Sequence, residues 1–425
     1  MFIRNWLNNS NNIERDSYVW NMAGSMLNAF QSVIMLMVIT RAIDLYEAGL
    51  FTIAYANANL FLNIGKYGVR NFQVSDVNEQ FSFNEYRISR YISTILMIIA
   101  SLIYVFFAAR SNNYSSEKTM IIIWMCLFKI FDSLEDVYYG LYQQKDRLDI
   151  AGKCMTIRMA LTIIIFAICL IIFKSLLPSL IVSTIATAII YIILILLTYG
   201  SFKKNVSFIN RTEKLSILNL LKICFPLFLS TFLAFYIGNA PKYAIDGNLN
   251  DELQAIYGFI AMPVFVIGLL NNFIFNPIIA RLSVIWNEQD IKAFNRLIKK
   301  QMFIVSGISA VCEAGAFVLG IPVLSILYNT DLKSYKEELL ILLLGGGFLA
   351  VSGLLVTLLT IMRKQNIIAI AYIIVSITAL IASPIFVKAY AIMGASLLYL
   401  LLMLLLCVLL AVPLIINIKK SASTK

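Results

Sequence analysis

Residues 176–199 read LLPSLIVSTIATAIIYIILILLTY, and residues 201–217 behind them read SFKKNVSFINRTEKLSI. The first stretch carries no charged side chain over 24 residues. About 20 apolar residues suffice for a helix to cross the roughly 30 Å hydrocarbon core of a bilayer. The pair therefore reads as a membrane span followed by a polar, cationic connection in water. Working outward, the same alternation recurs, with spans at 18–40, 46–65, 91–109, 119–143, 155–173, 176–199, 218–240, 255–277, 302–327, 338–361, 367–387 and 391–417. Hydrophobic residues make up 60% of the chain and the mean hydropathy is +0.84, which leaves no room for a soluble domain. The expected fold is an all-α polytopic membrane protein of about twelve transmembrane helices. The polar segment divides the spans evenly, so two six-helix bundles are predicted, 1–205 and 206–425.

The net charge of +11 is a matter of placement rather than of nucleic acid binding. Of the 34 Lys and Arg residues, 25 fall on the side of the N-terminus, 8 on the other side, and Lys129 lies inside a span. By the positive-inside rule both termini are expected in the cytoplasm. Met1 to Ser17 is polar and charged, so it does not read as a cleavable signal peptide. The six cysteines lie in or beside spans without paired spacing and read as small apolar residues, not as a disulfide frame or a metal site. Histidine is absent, which removes Ser-His and Cys-His nucleophiles and His proton relays. There is no GxxxxGK[ST] nucleotide loop, and no catalytic residue, cofactor or metal is expected. The outward loops are too short to hold a folded domain.

The halves echo one another. Arg41-Ala42-Ile43-Asp44 and then Ala48-Gly49-Leu50-Phe51 follow the first span, and Lys242-Tyr243-Ala244-Ile245-Asp246 and then Ala255-Ile256-Tyr257-Gly258 follow the seventh. Each half has an even number of crossings, so the repeats would be parallel, related by an axis along the membrane normal. The connections 67–90 and 281–300 also correspond, and the second patterns as an amphipathic helix lying in the interface. The prolines gather in the second half and Gly345-Gly346-Gly347 interrupts span ten, so those helices can bend.

Charge inside a span is costly and is kept where it faces protein or water. On span four, Lys129, Asp132, Glu135 and Asp136 fall within about 120° of one another, and Tyr139 and Gln143 extend the stripe. Two readings stand: the face lines a wet cavity, with Asp132 and Asp136 as ion-coupling candidates, or Lys129 neutralises its neighbouring acids within a packed helix pair. Glu313, mid-way along span nine with no basic residue within a turn, is either a proton-coupling carboxylate or a protonated acid bonded to a neighbouring helix. Arg41 and Lys242 sit at matching span ends; they either snorkel to the surface or join Lys129 and Arg158 in presenting cations to an anionic substrate.

The stretch from Phe225-Pro226 through Asn239-Ala240-Pro241-Lys242-Tyr243-Ala244-Ile245-Asp246 to Ala255-Ile256-Tyr257-Gly258 and Asn276-Pro277 resembles Wzx-type polysaccharide flippases. So does Gly140-Leu141-Tyr142-Gln143-Gln144-Lys145 with Arg147, Ile150-Ala151 and Arg158. These proteins belong to the multidrug/oligosaccharidyl-lipid/polysaccharide exporter superfamily. The resemblance implies movement of an undecaprenyl-pyrophosphate-linked oligosaccharide repeat unit across a bacterial inner membrane, through a cationic cavity between two bundles. It also implies alternating access coupled to an H+ or Na+ gradient, with membrane lipid and glycan-assembly proteins as partners. The chain departs from the pattern at Pro241, where an Asp commonly precedes the basic residue. The rival readings are a drug exporter of the same superfamily, favouring an acidic cavity, and a membrane glycan polymerase or ligase, which commonly needs a large external loop.

Overall fold

The computed structural model describes residues 2–76, 79–200, 202 and 213–423, and among them every regular element is helical. The chain forms two compact units, Met1–Phe232 and Leu233–Lys425. The expected division at 205/206 lies outside the described residues.

The first unit holds α1 (Phe2–Asn8), α2 (Ile13–Ala42), α3 (Leu45–Lys66), α4 (Val69–Ser75), α5 (Phe83–Ser111), α6 (Ser116–Gln144), α7 (Leu148–Phe173) and α8 (Leu176–Tyr199). The division between the units falls inside α9 (Glu213–Asn248). The second unit continues with α10 (Asp251–Ile260), α11 (Met262–Asn287), α12 (Ile291–Gly315), a π-helical turn at Ala316–Gly320, α13 (Ile321–Tyr328), α14 (Lys336–Ile361) and α15 (Gln365–Ser423).

The twelve spans map onto these elements. Nine helical segments among the described residues are long and apolar enough to cross a membrane. One is α15, which contains two spans because its backbone leaves helical geometry at Tyr390 and Ala391. The helices α3 and α6 are not among the nine; they carry Asn57, Asn59 and Asn63, and Lys129, Asp132, Glu135 and Asp136. Side chains at the starts of α2, α3, α5 and α6 satisfy backbone donors there. Asn12 accepts from Arg15 N at 3.0 Å and Asp44 from Glu47 N at 2.9 Å, and Ser82 with Glu85 forms a reciprocal capping box.

Each unit is built around one helix. In the first, α6 packs on α3, α5, α7 and α8; in the second, α14 packs on α10, α11, α12 and α15. The pairings repeat: α3 with α5 and α6 corresponds to α11 with α12 and α14. The two central helices differ in content, since α6 carries charge and α14 carries Gly345-Gly346-Gly347. These glycines do not interrupt the span as expected, because α14 is continuous through them. A Cβ at Gly345 would lie 2.7 Å from the Tyr399 ring, one at Gly346 3.1 Å from Val264, and one at Gly347 3.3 Å from Ser309. They are points of close approach to α15, α11 and α12, not joints.

The interface helix expected over 281–300 is also corrected. Its first part ends α11, and residues 291–300 form the start of α12, in one helical run with span nine from Ile291 to Tyr328. The helical irregularities in the second unit fall elsewhere, at Ala261 between α10 and α11 and at the π-helical turn before α13, each followed within two residues by a proline, Pro263 and Pro322. Outward faces carry exposed apolar side chains such as Ile172 and Leu196, as helices in lipid require.

Candidate functional site

The charged face of α6 lies inside the first unit. Lys129 is 1% exposed and donates to Asp132 Oδ2 at 2.8 Å, to Gln31 Oε1 of α2 at 2.7 Å and to the Tyr55 hydroxyl of α3 at 3.3 Å. Arg158 of α7, also 1% exposed, donates to Asp132 Oδ1 at 2.6 Å and to Glu135 Oε1 at 2.5 Å, and its Nε pairs with Glu135 Oε2. The Tyr139 hydroxyl donates to Glu135 at 2.9 Å. One turn on, Asp136 accepts from Arg90 of α5 at 2.7 Å and from Arg70 of α4 at 3.4 Å. Lys129 and Arg158 are thus committed to carboxylates within the bundle rather than presented to a cavity as free cations. Of the two readings of this face, the geometry has Lys129 paired with Asp132, while Asp136 finds its partners on α5 and α4.

Arg90 and Arg70 were not singled out from the sequence. Arg90 reads as a loop residue before span three begins at 91, yet it is fully buried, two turns into α5, and also donates to Gly65 O at 2.7 Å. The signal was available. Ser82-Phe83-Asn84-Glu85 has the spacing of a capping box, which starts the helix at Phe83. From there Tyr86, Arg90, Ser93, Thr94 and Met97 recur at helical spacing on the buried face.

Asp136 has a second environment. A cavity of about 500 Å³ is lined by Asn63 and Lys66 from α3, Gly68, Arg70, Asn71 and Val74 from the turn and α4, Asp136 and Gln143 from α6, and Thr231 from α9. The turn that shapes it is local. Tyr67 ends α3 at φ 48° and Gly68 follows at φ 66°, two left-handed residues in succession that swing the chain from α3 into α4. The Tyr67 ring stacks on Phe228 with centroids 4.5 Å apart, and Gly68 faces Leu227, which seats the turn against α9. Arg70 is half-buried and reaches Gln143 Oε1 at 3.1 Å. Lys66 has no hydrogen bond or ion pair from its side chain among the described residues. Two cations, Lys66 without a direct ion pair among the described residues and Arg70 paired with Asp136, and the neighbouring amides give this pocket the chemistry of an anion receptor.

The other sequence candidates lie apart. Arg41 is exposed in the last turn of α2. Lys242 is half-buried in the second-unit part of α9. Glu313 is half-buried near the end of α12, directly before the π-helical turn, with exposed Val311 and Phe317 nearby and no hydrogen bond or ion pair among the described residues. The structure therefore brings together Lys129, Asp132, Asp136 and Arg158, and leaves Arg41, Lys242 and Glu313 outside that cluster.

The two helical units, built around α6 and α14, are matched over nearly their whole length by solved structures. The chain superposes on an inward-facing multidrug resistance MATE family transporter of the MOP superfamily with a TM-score of 0.69 at 12% identity, over 96% of this chain and 99% of that one. It superposes on the lipid II flippase MurJ in an inward closed conformation with a TM-score of 0.67 at 14% identity, over 92% and 86%. These likenesses establish the fold, that of a multi-pass helical membrane protein. The family description "Polysaccharide biosynthesis protein" matches residues 15–283, more than half of the chain, and the chain belongs to that family. It is 26% identical over 389 residues to the capsular polysaccharide biosynthesis protein CapF of Staphylococcus aureus, covering 90% of this chain and 94% of CapF.

Proposed function

We propose that this protein is a flippase that carries polyprenyl-pyrophosphate-linked oligosaccharide repeat units across a bacterial inner membrane by alternating access. The observation that carries the reading is the nearly end-to-end match to a capsular polysaccharide biosynthesis protein. It is supported by the fold shared with a lipid II flippase, and by a membrane chain with no glycine-rich nucleotide loop of its own. In this reading both termini are cytoplasmic, because 25 of 34 basic residues lie on their side. Transport draws on an H+ or Na+ gradient, and glycan-assembly proteins supply and remove the cargo.

The pocket of Lys66 and Arg70 is where we place the anionic pyrophosphate, with Arg41 and Lys242 as secondary cation candidates. Glu313, Asp132 and Asp136 stand as ion-coupling candidates. Glu313 has the best claim among them, since the two aspartates already hold buried cations. Deleting the gene should leave lipid-linked glycan facing the cytoplasm and strip the surface polymer. A deletion strain with unchanged surface glycan would defeat the proposal. The likeness to multidrug transporters favours a second reading, export of cationic drugs, in which the same deletion leaves surface glycan intact and raises drug sensitivity.

A further inference from the structure

The start of α12 carries four cations, Lys292, Arg296, Lys299 and Lys300, and each is exposed. At 100° per residue they fall within about 100° of one another and form one stripe. None has a hydrogen bond or ion pair from its side chain among the described residues. The nearest acid in sequence, Asp290, is occupied as the N-cap of the helix, accepting from Ala293 N at 2.9 Å. The opposite face is anchored: Phe294 is fully buried against Trp286, with ring centroids 4.9 Å apart. The stripe is therefore held outward on a fixed helix.

The corresponding helix of the first unit behaves differently. There α5 turns Arg90 inward onto Asp136, and Arg87 bonds Asn84 at 2.8 Å. The helical run from Ile291 to Tyr328 is 38 residues long, and a bilayer core takes up about 20, so its first turns project beyond the hydrocarbon. Unpaired, outward cations immediately next to a span lie at the depth of lipid headgroups, where anionic lipid is their natural counter-charge.

We propose that the α12 stripe is a docking surface for anionic phospholipid headgroups of the cytoplasmic leaflet. The proposal rests on the topology proposed above, which puts this end of α12 in the cytoplasm. Each cation close to an anionic lipid surface is worth about a fivefold gain in association at moderate ionic strength.

The test uses the purified full chain in phosphatidylcholine vesicles containing about 30 mol % phosphatidylglycerol, a mixture rich enough to generate a negative surface potential. Selectivity is read as the motionally restricted fraction of spin-labelled phosphatidylglycerol relative to spin-labelled phosphatidylcholine. The wild type is expected to prefer phosphatidylglycerol several-fold. The variant Lys292→Gln/Arg296→Gln/Lys299→Gln/Lys300→Gln should fall close to parity, and Lys174→Gln/Lys333→Gln, expected on the opposite side, should keep the preference. Lys292→Arg/Lys299→Arg/Lys300→Arg keeps the charge and should keep the selectivity, which separates loss of the stripe from misfolding. A wild type without preference for phosphatidylglycerol, for instance because the stripe serves an acidic protein instead, overturns the proposal, as does a quadruple variant that retains it. The readout needs no transport: a protein that flips no glycan yet prefers phosphatidylglycerol supports the docking surface, and one that flips with no preference sinks it.

Discussion

Asp136 is held between the fully buried Arg90 at 2.7 Å and the half-buried Arg70 at 3.4 Å, and it borders the pocket that contains Lys66. Its two faces have different consequences. Removing one partner of a buried pair strands the other in low dielectric and costs about 3–5 kcal/mol. Asp136→Asn should therefore lower stability by about that amount, read as the unfolding midpoint in detergent; an unchanged midpoint would show that Arg90 has another counter-charge. Lys66 poses the opposite case, a cation without an ion pair among the described residues. Lys66→Gln should change stability by no more than about 0.5 kcal/mol. It should slow flipping of a fluorescent lipid-linked oligosaccharide in proteoliposomes by roughly tenfold, the loss of one charge-assisted hydrogen bond. Equal rates for the two proteins would remove Lys66 from the binding site.

Two glycines mark places where backbone meets backbone. A Cβ at Gly152 of α7 would lie 2.5 Å from the Asn21 backbone nitrogen of α2, and one at Gly394 would lie 2.0 Å from the Phe386 carbonyl oxygen within the reversal of α15. Neither neighbour is a flexible side-chain tip, so the elements themselves would have to part. Overpacking of this kind costs about 1–3 kcal/mol or more. Gly394→Ala and Gly152→Ala should each reduce the folded, monodisperse yield on size exclusion, whereas Gly353→Ala, where a Cβ would meet nothing within 4 Å, should not. The contrast would fail if all three behaved alike. The reversal itself is notable because no proline makes it: Ala391 takes φ 47°, and Gly394 leaves room for the carbonyl that the kink turns inward.

Across the whole molecule, charge placement sets orientation. Reporter fusions that report cytoplasmic exposure should be active after Lys425 and inactive within 112–115, between α5 and α6; the reverse pattern would invert the proposed topology. The all-helical membrane class and the approximate number of spans were legible in the chain, because about 20 apolar residues can only be satisfied in lipid as a helix and the polar segments between them mark the returns to water. The stripe on α6 was legible too, since helical periodicity is a property of one element. Its meaning was not. Whether Lys129 and Arg158 face a cavity or a carboxylate depends on Gln31, Tyr55, Glu135 and their neighbours, which come from α2, α3 and α6 itself and meet only when the bundle closes. Arg90 is the clearest instance, placed by sequence in a loop and by packing at the centre of the first unit. The pocket at Lys66 likewise needs α3, α4, α6 and α9 together. Sequence alone determined which helices exist and which faces are polar, because hydrophobic length and period are local. Only the tertiary structure decided which charges are spent on one another, because an ion pair is fixed by distances between helices that no spacing along the chain records.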